Sequence, residues 1–257
     1  MKKKYIFFDI DGTLAVGVPG KQYVPDSAKE AIARLRENGH FVAIATGRSY
    51  AMAYEHMVEL GFENMVHDGG NGITIDNKLL GITPLDYDKC IELIEECKRK
   101  DFIWAMSPDN ATRRLAPDER FYQFTQDTYM KTEVKPDLNP LDYDKIYKLY
   151  IACNRDEEMR LDALKGLPWC RFHDEYLFVE PIDKSVGIKA IVDHLGGDYK
   201  DVVVFGDEVN DLSMFIDEWT SVAMGNAIEE LKAKASYITD DNDKDGIYKA
   251  CRHLRLI

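Results

Sequence analysis

The chain has no Cys-x-x-Cys pair, no clustered histidines and no long apolar run. Its cysteines (Cys90, Cys97, Cys153, Cys170 and Cys251) form an odd set, which suggests neither a disulfide framework nor a zinc site. Cys90 and Cys97 lie seven apart on a helical pattern and are expected in a core. With the histidines isolated, a bound metal would need oxygen ligands, which favours Mg²⁺ over zinc. No stretch approaches the ~20 apolar residues of a membrane span. Lys2-Lys3-Lys4 followed by Tyr5 to Phe8 imitates a signal peptide, but the apolar run stops at Asp9, short of a secretory h-region, so a cytoplasmic protein is expected. Positive charge is also scarce. The 33 Lys and Arg face 46 Asp and Glu, for a net charge of -13, which would repel nucleic acid and anionic membranes.

At 257 residues the chain can form one large domain or two moderate ones. A composition 45% apolar and 31% charged excludes extended disorder. Residues 4–82 and 182–257 alternate strand and helix patterns, the sign of a parallel sheet with helices on its faces. Strands are expected at 5–9, 41–45, 64–67, 202–206, 221–224 and 236–239. Pro25-Asp26-Ser27 opens a helix with Ala28, Ala31, Ile32 and Leu35 on one face, and Asn38-Gly39 closes it. Lys184 to Leu195 reads similarly before Gly196-Gly197. The middle differs: it holds 14 of the 28 aromatic residues, and fifteen Lys and Arg against twenty-one Asp and Glu. Aromatics suit the strands of a small α/β domain, with a helix at Asp86 to Lys100 and a strand within Lys145 to Ala152. Pro84 and Pro181 mark hinges, giving an expected division into 1–84 with 182–257, and 85–181.

Chemistry concentrates in four places. Ile6-Phe-Phe-Asp9-Ile-Asp11-Gly12-Thr-Leu14 is a buried-strand run ending in two acids and a glycine turn. Alternation in an extended chain would bring Asp9 and Asp11 out side by side. Asp9 could attack phosphorus, splitting one hard displacement into two easier ones, and Asp11 would act as acid, then base. A bare Asp-x-Asp is more often a solvated strand end, and only the downstream motifs tip the balance. Phe41 to Ala45 leads into Thr46-Gly47-Arg48-Ser49, where a hydroxyl and exposed amides at a helix start make an anion site. The plain alternative there is a Thr helix cap, and Arg48 either approaches the site or pairs with an acid elsewhere.

Lys184 begins a helix, where the dipole disfavours a cation unless a phosphate dianion lies nearby; Lys189 is its rival. Val202-Val-Val-Phe-Gly206-Asp207-Glu-Val-Asn210-Asp211 is a second buried strand with acids at its carboxyl end, where open α/β sheets bind ligands. Asp207 would join Asp9 on a metal, Asp211 would hold it directly or through water, and Asn210 would bond phosphate or orient Lys184. Four carboxylates would repel a phosphate dianion, so a divalent cation is required electrostatically. Ser221 to Ala227 and Thr239 to Gly246 complete the rim. Asp243 and Asp245 do not make a calcium loop, because the closing Glu is missing.

Taken together, these residues resemble the haloacid dehalogenase superfamily of Mg²⁺-dependent phosphohydrolases, in its Cof-like branch with a type IIB α/β cap. Asp9-Ile-Asp11-Gly-Thr-Leu, Thr46-Gly47-Arg48, Lys184 and Gly206-Asp207-x-x-Asn210-Asp211 fit its four motifs in order over roughly 160 residues. Ser185 stands where a glycine often follows the lysine. The resemblance implies a Rossmannoid α/β core with a parallel sheet and an inserted α/β cap. It also implies Asp9 as nucleophile, Asp11 as acid and base, and Mg²⁺ held by Asp9, the Asp11 carbonyl and Asp207. Trp104, Arg113, Arg114 and Tyr176 are offered as substrate contacts in the middle domain, each with a structural role as the plainer reading. The expected activity is a phosphatase for small phosphate esters, sugar phosphates foremost, in a monomer or small homo-oligomer. A phosphomutase and a non-catalytic phosphate-binding protein are the alternatives. The acidic middle domain argues against the first, and the retained Asp9 and Asp11 pair against the second.

Overall fold

Four consecutive apolar residues, Tyr5–Phe8, form β1 and are all buried, as a central strand of a parallel sheet requires. In the computed structural model, which describes residues 2–17, 21–171 and 173–257, the chain continues through α1 (Asp26–Glu37), β2 (Phe41–Ala45), α2 (Tyr50–Glu59), β3 (Met65–His67), β4 (Gly72–Ile75) and β5 (Lys78–Ile82). An inserted segment follows, with α3 (Tyr87–Lys100), β6 (Ile103–Ser107), β7 (Arg113–Ala116), α4 (Arg120–Thr125), β8 (Lys131–Val134), β9 (Lys148–Ala152), β10 (Trp169–Cys170) and β11 (Tyr176–Val179). The chain then returns as α5 (Lys184–His194), β12 (Val202–Gly206), β13 (Thr220–Ala223), α6 (Glu229–Lys234), β14 (Tyr237–Ile238) and α7 (Gly246–His253). Contacts divide these elements into two units: Met1–Arg48, Ala53–Gly81 and Asp183–Ile257, and Ser49–Met52 with Ile82–Ile182.

The first unit is an eight-stranded sheet in the order β14-β13-β12-β1-β2-β3-β4-β5. The strands from β14 to β3 run parallel. Phe8 on β1 is level with Ile44 on β2 and Phe205 on β12, so the residues that follow all three strands emerge together. α1 buries Ala28, Ala31, Ile32 and Leu35, the stripe its spacing predicts. Two features differ from the sequence expectation. β4 runs antiparallel to β3 and extends the edge with β5. Its turn, Asp76-Asn77, has φ of 49° and 60°, the pair of left-handed residues that a tight hairpin favours. β1 also ends at Phe8, so the extended alternation expected through Asp11 stops before the acids.

The second unit is a six-stranded sheet in the order β10-β11-β9-β6-β7-β8. It is antiparallel except between β7 and β8. Asp86 caps α3 by accepting the Lys89 N–H at 3.2 Å. The helix buries Cys90, Leu93, Ile94 and Cys97 in one cluster with Trp104, Met106, Leu149 and Ile151. Burial pushes the Cys90 and Cys97 thiols up to about 12, so both are inert core residues. Ser49–Met52 join this unit because the Ala51 N–H donates to Asn110 Oδ1 at 2.9 Å and Met52 packs against the Phe121 and Tyr150 cluster.

The middle-domain candidates take structural places. Trp104 is a core residue, and Arg113 pairs at the surface with Asp109 and Glu133. Arg114 is fully buried, pairs with Asp127 and donates to Thr132 Oγ1 at 2.9 Å. Its guanidinium lies against the rings of Phe121, Tyr150 and Tyr176 at 4.3, 5.1 and 5.6 Å. Among the described residues no helix is long and apolar enough to cross a membrane.

Candidate active site

Beyond Phe8 the chain stays tied to β12 by one bond, Asp9 N–H to Phe205 carbonyl at 3.0 Å, and then turns through Gly12 at φ 85°. That turn carries Asp9 into a buried group with Asp207 and Asp211, one carboxylate oxygen of each lying within 4.8 Å of the others. Lys184 is 1% exposed and donates to Asp9 Oδ1 and Asp211 Oδ1, both at 2.6 Å. Two carboxylates offset the unfavourable dipole for a lysine at the start of α5. Lys189, its rival, pairs with Glu218 at the surface. α5 starts without the glycine: Ser185 closes on Asp183 through its N–H at 3.0 Å and its hydroxyl at 2.6 Å. The close approach comes at Gly187, where a Cβ would stand 2.5 Å from Val66.

Three acids against one lysine leave surplus negative charge, and the titration shifts follow it. Burial pushes Asp9 well above the usual carboxylate range; neighbouring Asp211 and Asp207 add to this and Lys184 opposes it. Asp207 is pushed up to about 7, first by burial and then by Asp211, against the Thr13 hydrogen bond. Burial alone would lower Lys184, but the flanking carboxylates outweigh it and hold the amine above its ordinary value.

These residues fit a hard divalent cation: the donors are all carboxylate oxygens, they are buried, and Lys184 offsets only part of their charge. The space also depends on glycine, because a Cβ at Gly12 would fall 2.0 Å from Asp207 Oδ2. Asp207 is aimed by the Thr13 hydroxyl, which donates to its Oδ1 at 2.7 Å. Asp211 is differently employed. Its Oδ2 accepts the N–H groups of Asp207 and Glu208 at 2.8 and 3.2 Å while its Oδ1 accepts Lys184. With both oxygens engaged, it orders the loop and the lysine.

Asp11 is not one of the acids of this buried group. Its carboxylate is 44% exposed and lies outside the buried group, because the chain is already turning. Arg48 grips it with two bonds, Nε to Oδ2 at 3.0 Å and a terminal nitrogen to Oδ1 at 2.7 Å. Gln22 Nε2 donates to Oδ1 at 2.7 Å. Burial would raise Asp11, but the Arg48 bond and charge and the Gln22 bond bring it below its ordinary value. Both readings for Arg48 hold at once: it pairs with an acid, and because that acid is Asp11 it also reaches the candidate site.

Thr46 follows β2 directly and is 2% exposed, its Oγ1 accepting the Arg48 N–H at 3.1 Å. Gly47 faces Asn210, with an added Cβ 3.9 Å from Nδ2. Asn210 Oδ1 is buried without a hydrogen-bond partner among the described residues. Asn210 makes no hydrogen bond to Lys184, whose partners are the two acids, so it does not orient that lysine.

Sequence reasoning gave no individual role to Thr13, Gln22, Asn226 or Asn242, although it set the last two within the rim segments. Asn226 Nδ2 donates to the Gly12 carbonyl at 2.9 Å, its Oδ1 accepts the Asn242 N–H at 3.0 Å, and Asn242 Nδ2 donates to the Ala15 carbonyl at 3.1 Å. The two rim segments thereby brace the loop after Asp9. Thr13, two residues beyond Asp11, was legible as a polar side chain on a glycine turn. The others lie too far along the chain for spacing to reveal.

The model of the haloacid dehalogenase-like hydrolase family matches residues 6–251. The putative phosphatase YkrA of Bacillus subtilis strain 168 is 31% identical over 262 residues, spanning 100% of both chains. The crystal structure of a hypothetical protein from Geobacillus kaustophilus HTA426 superposes with a TM-score of 0.84 at 32% identity, covering 100% of both chains. The subclass IIB sugar phosphatase BT4131 shares the fold, with a TM-score of 0.78 at 24% identity over 99% of this chain and 100% of that one. The chain therefore belongs to the haloacid dehalogenase-like hydrolases, in the Cof-like branch whose Rossmannoid core carries an inserted α/β unit.

Proposed function

We propose that this enzyme is an Mg²⁺-dependent phosphatase, hydrolysing small phosphorylated metabolites, sugar phosphates foremost, through an aspartyl-phosphate on Asp9. The observation that supports it is the buried group of Asp9, Asp207 and Asp211 with Lys184 as its one ammonium partner among the described residues. A buried surplus of negative charge opposes folding, and titratable groups perturbed in this way concentrate at reactive sites.

In the first half-reaction an Asp9 oxygen attacks phosphorus, and the ester oxygen leaves with a proton from Asp11. In the second, water attacks the same phosphorus, Asp11 takes its proton, and the bonding pair returns to Asp9. Lys184 is fixed where it can meet phosphoryl oxygens without reorganising. The Thr46 oxygen already accepts the Arg48 N–H, which leaves its own proton to donate; the Gly47 amide and Asn210 complete that corner. Mg²⁺, held by Asp9, Asp207 and the Asp11 carbonyl with Asp211 behind them, would keep Asp9 ionised and offset the charge of the phosphoryl group.

The five cysteines are free, which suits a reducing compartment, and we place the enzyme in the cytoplasm. A phosphomutase would need a second, basic phosphate pocket, and the inserted unit is acidic in composition. The test is hydrolysis of p-nitrophenyl phosphate with Mg²⁺, which Asp9→Asn abolishes while circular dichroism stays unchanged. Retained activity in that variant overturns the reading. A panel of phosphorylated metabolites ranked by kcat/KM identifies the substrate, and phosphate transfer to a sugar rather than to water would identify a mutase.

A further inference from the structure

We propose that Arg48 and Gln22 are positioning residues that hold the Asp11 carboxylate as the base for water, and so serve the second half-reaction. This rests on the function proposed above. Three donor contacts fall on two oxygens: Arg48 Nε on Oδ2, and an Arg48 terminal nitrogen and Gln22 Nε2 on Oδ1, at 3.0, 2.7 and 2.7 Å. The grip is not that of a loose surface pair. Arg48 has a side chain only 13% exposed, its N–H is bonded to Thr46 Oγ1 at 3.1 Å, and its carbonyl accepts the Asp68 N–H at 2.8 Å.

A two-pronged guanidinium contact needs both carboxylate oxygens as acceptors. A carboxyl about to donate a proton must spend one oxygen as an O–H donor, so the clamp is incompatible with the acid step as it stands. It suits the base step, in which an acceptor must be aimed at water. The carboxylate is 44% exposed and water can reach it, whereas Asp9 is 2% exposed. In that step the water oxygen bonds to phosphorus and the bond from phosphorus to the Asp9 oxygen breaks. The electron pair restores the Asp9 carboxylate, the water proton passes to Asp11, and inorganic phosphate departs. Arg48 and Gln22 fix the direction from which Asp11 receives that proton; to act as acid in the first step, Asp11 must be released by Arg48 on one side.

2,4-Dinitrophenyl phosphate separates the two halves, because its leaving group needs no proton. In rapid-quench experiments at saturating Mg²⁺, Arg48→Gln is expected to release about one dinitrophenolate per active site in a burst. The steady state that follows should be slowed about 100-fold relative to wild type, the lower end of what a positioned base contributes, with phosphoenzyme trapped on acid quench. Arg48→Lys, which keeps the charge without the fork, should recover part of the steady-state rate, and Gln22→Ala should show the same burst with a smaller slowing. A merely structural role would slow burst and steady state alike. That result, or an unchanged steady state in Arg48→Gln, overturns the proposal; if Arg48→Gln fails to fold, the presence or absence of a burst in Gln22→Ala decides it. A wild-type enzyme that releases no dinitrophenolate overturns instead the function on which the proposal rests.

Discussion

In the inserted unit Arg114 is fully buried and meets one carboxylate, one hydroxyl and three aromatic faces. In the core unit Lys184 is as deeply buried but shares its surroundings with three carboxylates. The inserted unit repeats its balanced arrangement in the buried Lys148 and Glu180 pair and in Arg171 with Glu158. Charge matched one to one in the interior organises a fold, whereas charge left unmatched there is tolerable only when a ligand completes it. Depth of burial does not separate the two sites; the residual charge does.

The largest expected effect tests the balanced side. Asp127→Ala leaves Arg114 buried and unpaired and should cost about 3–5 kcal/mol, read by urea denaturation; a loss below about 1 kcal/mol would mean that the aromatic faces suffice. The unbalanced side should respond with the opposite sign. In EDTA at pH 8, Asp207→Asn removes a surplus charge and should stabilise the protein by about 1–3 kcal/mol. Its folded value near 7 lies above the ordinary carboxylate value, so between about pH 4 and 7 the folded state binds more protons than the unfolded chain. This contribution to stability is complete below that window and is lost as pH rises through it, so the gain from Asp207→Asn should shrink as pH falls from 8 and vanish only below about pH 4. Mg²⁺ should raise the thermal midpoint of wild type at pH 8 and leave that of Asp207→Asn nearly unmoved. Destabilisation of the metal-free variant at pH 8 would break the comparison. The smallest effect belongs to Arg113, whose exposed pairs with Asp109 and Glu133 should cost no more than about 1 kcal/mol in Arg113→Ala.

Continuous apolar runs made β1, β2 and β12 legible, and a 3.6-residue stripe made α1 and α3 legible, because burial on both faces or on one leaves a period in the sequence. The edge hairpin at Asp76-Asn77 was missed although its turn residues tolerate positive φ. The acids at the ends of β1 and β12 were legible as a site. The exposure of Asp11 outside the buried group was not, since alternation describes a strand and the strand stops at Phe8.

The sequence by itself determined that acids, a threonine and a lysine would gather at the carboxyl ends of parallel strands, because local hydrophobic period and turn chemistry act over a few residues. Only the tertiary structure decided that Lys184 answers Asp9 and Asp211, that Arg48 and Gln22 claim Asp11, and that Arg114 closes on Asp127. Those choices depend on which side chains meet across long separations, and on how much charge each buried pocket leaves unmatched.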